Sequence, residues 1–223
     1  MTETGRQVSE NDQLRADIYQ LLAALFRRQP NTELLQFLAG LEVEVEAEDG
    51  NTMSQAWNAL KLAAENSDTN TLEDEYFAIF LGVGSGEIMP YGSWFMTGSL
   101  MDKPLAALRS DLMLLGFERE ENVKEPEDHV AALCEVMGCL ILEAPGYRQL
   151  AFYQRHIGSW IIRFCDNLAK TPSANFYLNV AQLAKAFFTA EANEFEQLSL
   201  DIPVNCPGSA DLDPLEEEVV QIN

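Results

Sequence analysis

The run Glu125-Pro126-Glu127-Asp128-His129-Val130-Ala131-Ala132-Leu133-Cys134-Glu135-Val136-Met137-Gly138-Cys139-Leu140-Ile141-Leu142 decides how the rest of the chain is understood. Its second half places Val130, Leu133, Cys134, Val136, Met137, Leu140 and Ile141 around much of a helical circumference. A helix apolar over so wide an arc belongs in the middle of a helical core. The first half is charged. Pro126 suits a first helical turn, and Glu127 and Asp128 suit the positive end of the helix dipole, so the pattern predicts a helix starting at Pro126.

Helical spacing extends outward from this run in both directions. Toward the N-terminus, Leu14, Ile18, Leu21, Leu22, Leu25 and Phe26 stop before Pro30, and Leu34, Leu35, Leu38 and Leu41 follow a cap at Asn31 or Thr32. After an acidic loop over Glu42 to Asn51, Met53, Ala56, Trp57, Leu60 and Ala64 mark a third helix. Thr71 is the expected N-cap of a fourth, carrying Tyr76, Phe77, Ile79 and Phe80. Gly82-Val83-Gly84-Ser85-Gly86 ends it, and irregular chain is expected to about Met101, with Tyr91, Trp94 and Phe95 in it. Loops of this length tend to carry function, and aromatics in one should pack or bind. Pro104 opens a helix through Leu105, Leu108 and Leu112, closed by Gly116.

Beyond the central run, Leu150, Ile157, Ile161, Phe164 and Leu168 predict one amphipathic helix. A cap at Thr171-Pro172 precedes a last helix through Tyr177, Val180, Leu183, Ala184 and Phe188. The expectation is an all-α single domain of roughly eight helices over residues 12–198, with a hinge near residues 118–126. Residues 1–11 read as a flexible N-terminus, and residues 199–223 as an acidic, disordered tail.

Composition narrows the function. Lys plus Arg number 14 against 36 acids, giving a net charge of -22. That surface does not suit nucleic acid, whose binding needs cations against phosphates. It attracts cationic ligands and speeds their encounter. No apolar run reaches the about 18 residues of a membrane span, and Met1 to Asp12 lacks the apolar core of a secretory signal. Cys134, Cys139, Cys165 and Cys206 have no C-x-x-C spacing, which fits a reducing cytoplasm.

The usual catalytic patterns are missing. The Gly82–Gly86 run lacks the Gly-Lys-Ser/Thr ending of a phosphate loop and follows a helix, not a strand. His129 and His156 have no partner at metal-ligand spacing, so no metal or cofactor is expected. Neighbours on a helix point about 100° apart, so Asp128 is poorly placed to orient His129, and no nucleophile motif is present. His129 is either a capping or core histidine or a binding contact whose charge changes near neutral pH. The chain therefore reads as a recognition protein, not an enzyme.

Three blocks in order carry a resemblance: Glu75-Tyr76-Phe77-Ala78-Ile79-Phe80, Pro90-Tyr91-Gly92-Ser93, and E-P-x-D-H over Glu125 to His129. Together they resemble the redox-enzyme maturation chaperones of the TorD/DmsD/NarJ type, over about residues 12–195. The resemblance implies an all-helical cytoplasmic chaperone. It would bind a molybdoenzyme precursor, often through its twin-arginine signal peptide, and delay export until the molybdenum cofactor is inserted. It further implies client-binding residues at Tyr76, Ile79, Phe80, Pro90, Tyr91, Ser93, Asp128 and His129. Trp94 joins them by proximity, and Glu127 as a carboxylate suited to guanidinium. Some members dimerise by exchanging helical halves. A helical adaptor that binds a folded oxidoreductase subunit without leader recognition is the other reading of the same residues.

Overall fold

The computed structural model describes residues 8–43, 52–120 and 123–201. Among them it contains ten α-helices and one π-helical turn, and no strand. The all-α expectation is borne out. The helices are α1 (Glu10–Arg27), α2 (Thr32–Ala39), α3 (Thr52–Glu65), α4 (Thr69–Tyr76) running into the π-turn Phe77–Leu81, α5 (Gly92–Thr97) and α6 (Lys103–Leu114). Then come α7 (Val130–Glu143), α8 (Gly146–His156), α9 (Ile161–Leu168) and α10 (Phe176–Asp201). The expected acidic tail lies, from residue 202 on, outside the described residues, as do residues 1–7, most of the acidic loop before α3, and residues 121 and 122 of the expected hinge.

Two compact units divide the chain. Among the described residues, one unit holds those up to Ala23, those from Tyr91 to Ser159 and those from Glu194 on; the other holds those from Ala24 to Pro90 and from Trp160 to Asn193. Of the expected hinge near residues 118–126, the described residues 118–120 and 123–126 belong to the first unit.

In the first unit α7 is central, as its composition demands. Val130, Ala131, Leu133, Cys134, Met137, Gly138, Leu140 and Ile141 are all buried. Gly138 faces α1: a Cβ there would lie 3.5 Å from the Ala16 carbonyl oxygen and would displace only the amide end of Gln20. Buried Gln149 closes the C-terminal end of α7 by donating to the Ala144 carbonyl at 2.9 Å. On α8, His156 Nε2 lies 2.6 Å from Asp111 Oδ2 of α6, and Arg155 reaches the same oxygen at 3.3 Å. Burial holds His156 below its ordinary protonation range, outweighing the upward pull of Asp111.

The second unit is built on aromatic rings. Phe26 and Phe164 meet edge to face at 5.4 Å, and Tyr76, Phe80 and Tyr177 form a cluster with centroids 4.9–5.9 Å apart. The two phenols are satisfied: Tyr76 donates to the Arg27 carbonyl at 2.9 Å and Tyr177 to that of Leu25 at 3.0 Å.

Four local expectations need correction. The cap of α4 is Asp68, not Thr71; its carboxylate accepts from the Asn70 and Thr71 amides, and the Thr71 hydroxyl donates to it. The single amphipathic helix over Leu150–Leu168 is two, α8 and α9, because the backbone turns at Ile157 (φ -124°, ψ -57°) and buried Trp160 opens the second. The last helix starts at Phe176, not near Pro172. Its first amides, with that of Asn175, donate to the buried carboxylate of Glu75 at 2.8–3.2 Å, a cap supplied by α4. The stretch expected to be irregular to Met101 contains α5.

Candidate functional site

The central helix begins at Val130, so Pro126, Glu127 and Asp128 precede it and do not form its first turn. A tight turn ends the block, with the His129 amide donating to the Pro126 carbonyl at 3.1 Å. His129 is then the N-cap of α7: its Nδ1 accepts from the Ala131 amide at 3.1 Å. An accepting Nδ1 carries no proton, which places the proton of the neutral ring on Nε2. In a hydrolytic triad Nδ1 must instead donate to the aspartate. The cap geometry is incompatible with that role.

Three residues of the block, Glu125, Asp128 and His129, fasten the Tyr91–Ser93 segment. Tyr91 and His129 pair in a single antiparallel backbone bridge, and their rings meet edge to face at 5.2 Å. The Tyr91 hydroxyl donates to Glu125. The Asp128 carbonyl accepts from the Gly92 amide at 2.9 Å, and its Oδ2 from the Ser93 amide at 2.8 Å. Asp128 therefore caps α5 from thirty-five positions along the chain. Glu127 turns the other way. Its Oε2 accepts from Arg109 Nε at 2.9 Å and Nη2 at 2.8 Å, and its Oε1 lies 3.7 Å from Arg119 Nε. Burial disfavours the Glu127 anion, but the Arg109 bond and both guanidinium charges hold the carboxyl below its ordinary range.

Two atoms of this site stand out. Asp128 Oδ1 and Ser93 Oγ are buried and make no hydrogen bond. A buried carboxylate oxygen without a donor is costly. It sits beside the N-terminal end of α5, where Trp94 and Met96 are each 42% exposed. Leu100 and Met101 follow, the latter 72% exposed and in the left-handed region at φ 57°. Buried polar anchoring and exposed large apolar groups thus occupy one short segment.

Of the residues expected to bind, the structure brings Tyr91, Ser93, Glu127, Asp128 and His129 together, with Trp94 on the same helix. Tyr76, Ile79 and Phe80 belong to the core of the second unit, and Pro90, also buried, is the last residue of that unit's first segment. Sequence reasoning missed Arg109 and Arg119 as site residues. The available signal was their scarcity: they are two of only 14 cations in the chain. It also left out Glu125, although it is part of the quoted block.

Residues 46–166, more than half of the chain, match the family model described as nitrate reductase delta subunit. The chain belongs to that family. The resemblance to TorD/DmsD/NarJ-type proteins is thereby borne out. The chain is 28% identical over 205 residues to the chaperone protein TorD of Vibrio parahaemolyticus, covering 82% of this chain and 94% of that one. It is 26% identical over 205 residues to the TorD of Shewanella piezotolerans, covering 85% and 94%. Its fold matches a redox enzyme maturation protein from Archaeoglobus fulgidus with a TM-score of 0.56 at 16% identity, covering 84% of this chain and 99% of that one. No helix among the described residues is long and apolar enough to cross a membrane.

Proposed function

We propose that this protein is a cytoplasmic maturation chaperone for a molybdoenzyme precursor. It binds the precursor through its twin-arginine leader, its apo-enzyme core, or both, and holds it back from export while the molybdenum cofactor is inserted. The observation that carries the reading is the α5 segment. It offers Trp94, Met96, Leu100 and Met101 to solvent while its first turn is pinned to the acidic Glu125–His129 block. A leader with two guanidinium groups ahead of an apolar stretch has the complementary chemistry. Relatives named chaperone support the same reading.

Magnitudes assign the two halves different tasks. Partly exposed ion pairs contribute about 0.2–1 kcal/mol each, so charge selects and steers. Burying on the order of 400 Å² of apolar surface gives roughly 10 kcal/mol gross. Association costs about 4–15 kcal/mol, which leaves a modest, reversible affinity. Reversibility is what a chaperone that hands on its client requires.

A second reading has its own observation. Phe77, Leu81 and Val83, in the other unit, are 47%, 55% and 98% exposed, a surface suited to an adaptor that binds a folded oxidoreductase subunit. A pull-down from the native cytoplasm, read by mass spectrometry, separates the two. The chaperone reading predicts a leader-bearing molybdoenzyme precursor with wild type and none with a folded Asp128→Ala/His129→Ala variant. Recovery of the same leaderless folded subunit by both proteins would establish the adaptor.

A further inference from the structure

We propose that Arg109 and Arg119 set the threshold for binding at this site by occupying, in cis, the carboxylate a client guanidinium takes. The inference rests on the reading that the client is recognised through arginines. In a chain of 36 acids and 14 Lys plus Arg, two arginines converge on one glutamate of the candidate site. Arg109 comes from α6 and Arg119 from the connector that follows it.

The geometry has the form of a replaceable pair. The Glu127 side chain is 15% exposed and set in the wall, whereas those of Arg109 and Arg119 are 52% and 42% exposed. The carboxylate stays while the guanidinium ends are free to swing into water. Both Arg109 contacts fall on one oxygen, Oε2, and the other oxygen has Arg119 at the looser distance of 3.7 Å. Neither arginine forms the two-oxygen fork that a guanidinium makes at its best. An incoming arginine able to span both oxygens gains that geometry and displaces a weaker, solvent-screened contact.

Displacement has a consequence for selectivity. A lysine offers a point charge and no fork, so it exchanges one cation for another without gaining geometry. A released Arg109 or Arg119 also stays nearby and repels the newcomer. A lone cation is therefore rejected. A ligand with paired arginines and an apolar stretch is accepted, because its second arginine and its apolar burial offset that repulsion. Without the internal arginines the carboxylate would take any cation drawn in by the acidic surface.

The test uses the full chain and two fluorescent synthetic peptides. Both carry the same apolar segment, one behind adjacent arginines and the other behind adjacent lysines. Expected for Arg109→Gln/Arg119→Gln is tighter binding of both peptides, by about two- to fivefold per pair removed. The gain should be about equal for the two peptides, because one internal competitor lowers both affinities by the same factor, and the preference for arginine, set by the fork on Glu127, should persist. Glu127→Gln should weaken the arginine peptide. Arg28→Gln, an exposed arginine outside the site, controls for net charge and should leave both affinities unchanged. Weaker binding by the folded double variant would make the arginines positioning residues and overturn the proposal. Tightening by Arg28→Gln equal, per charge removed, to that of the double variant would reduce it to a general charge effect and also overturn it. Binding of both peptides by wild type with no change in the double variant overturns the competition alone. Binding of neither peptide by any variant overturns the arginine-recognition reading and the competition with it.

Discussion

Asp128 occupies two roles that pull on one carboxylate. Oδ2 accepts from the Ser93 amide and fixes the start of α5, while Oδ1 is buried without a donor. An asparagine keeps an acceptor for the amide and removes the buried charge. A removed side chain leaves the amide unsatisfied. Asp128→Asn should therefore stay within about 1 kcal/mol of wild type, and Asp128→Ala should lose about 1–3 kcal/mol, both read from urea denaturation. Equal losses in both would mean that the negative charge, not the acceptor, holds α5. At this scale the sequence was informative where neighbours in the chain act together. The Glu125–His129 block was legible because its five residues are contiguous, and capping was one of the roles open to His129. Arg109 was not, because it reaches Glu127 from 18 positions away and no local pattern marks it.

Elements with a strong apolar period were legible, and their ends were not. α7 is buried where its composition required, but its start is set by the turn that frees His129 to cap it, so it begins at Val130. The helix α5 has six residues, too few for a periodic signal, and its carboxylate cap comes from Asp128. The start of α10 is equally hidden: its cap, Glu75, lies 100 positions from Asn175. The tie between α6 and α8 carries a pH dependence. His156 is buried against Asp111, and its protonation range is lowered from 6.5. The unfolded chain therefore takes up the proton first as pH falls, and stability drops from pH 6.5 down to the lowered value, by at most about 1.4 kcal/mol per pH unit. Thermal midpoints recorded across that window should fall for wild type and flatten for His156→Asn. A parallel decline in both would assign the loss to other groups.

The chain as a whole carries a net charge of -22, and this is the property that composition alone foretold best. Under the proposed function it speeds the encounter with a cationic client and gives weight to the few arginines where they gather. The division into two units was not legible, since apolar periodicity identifies helices but not which of them share a core. That division separates the expected client-binding residues: Tyr91, Ser93 and the Glu127–His129 group lie in one unit, and Tyr76, Ile79 and Phe80 lie in the core of the other. The account places recognition on the first group.

Hydrogen–deuterium exchange of the full chain, with and without a peptide bearing adjacent arginines and an apolar segment, tests this placement most directly. The account predicts slowed exchange across Tyr91–Met101 and the amides of Glu125–His129, with Phe77–Val83 unchanged. Protection confined to Phe77–Val83 or to another helix, with Tyr91–Met101 unaffected, would contradict it.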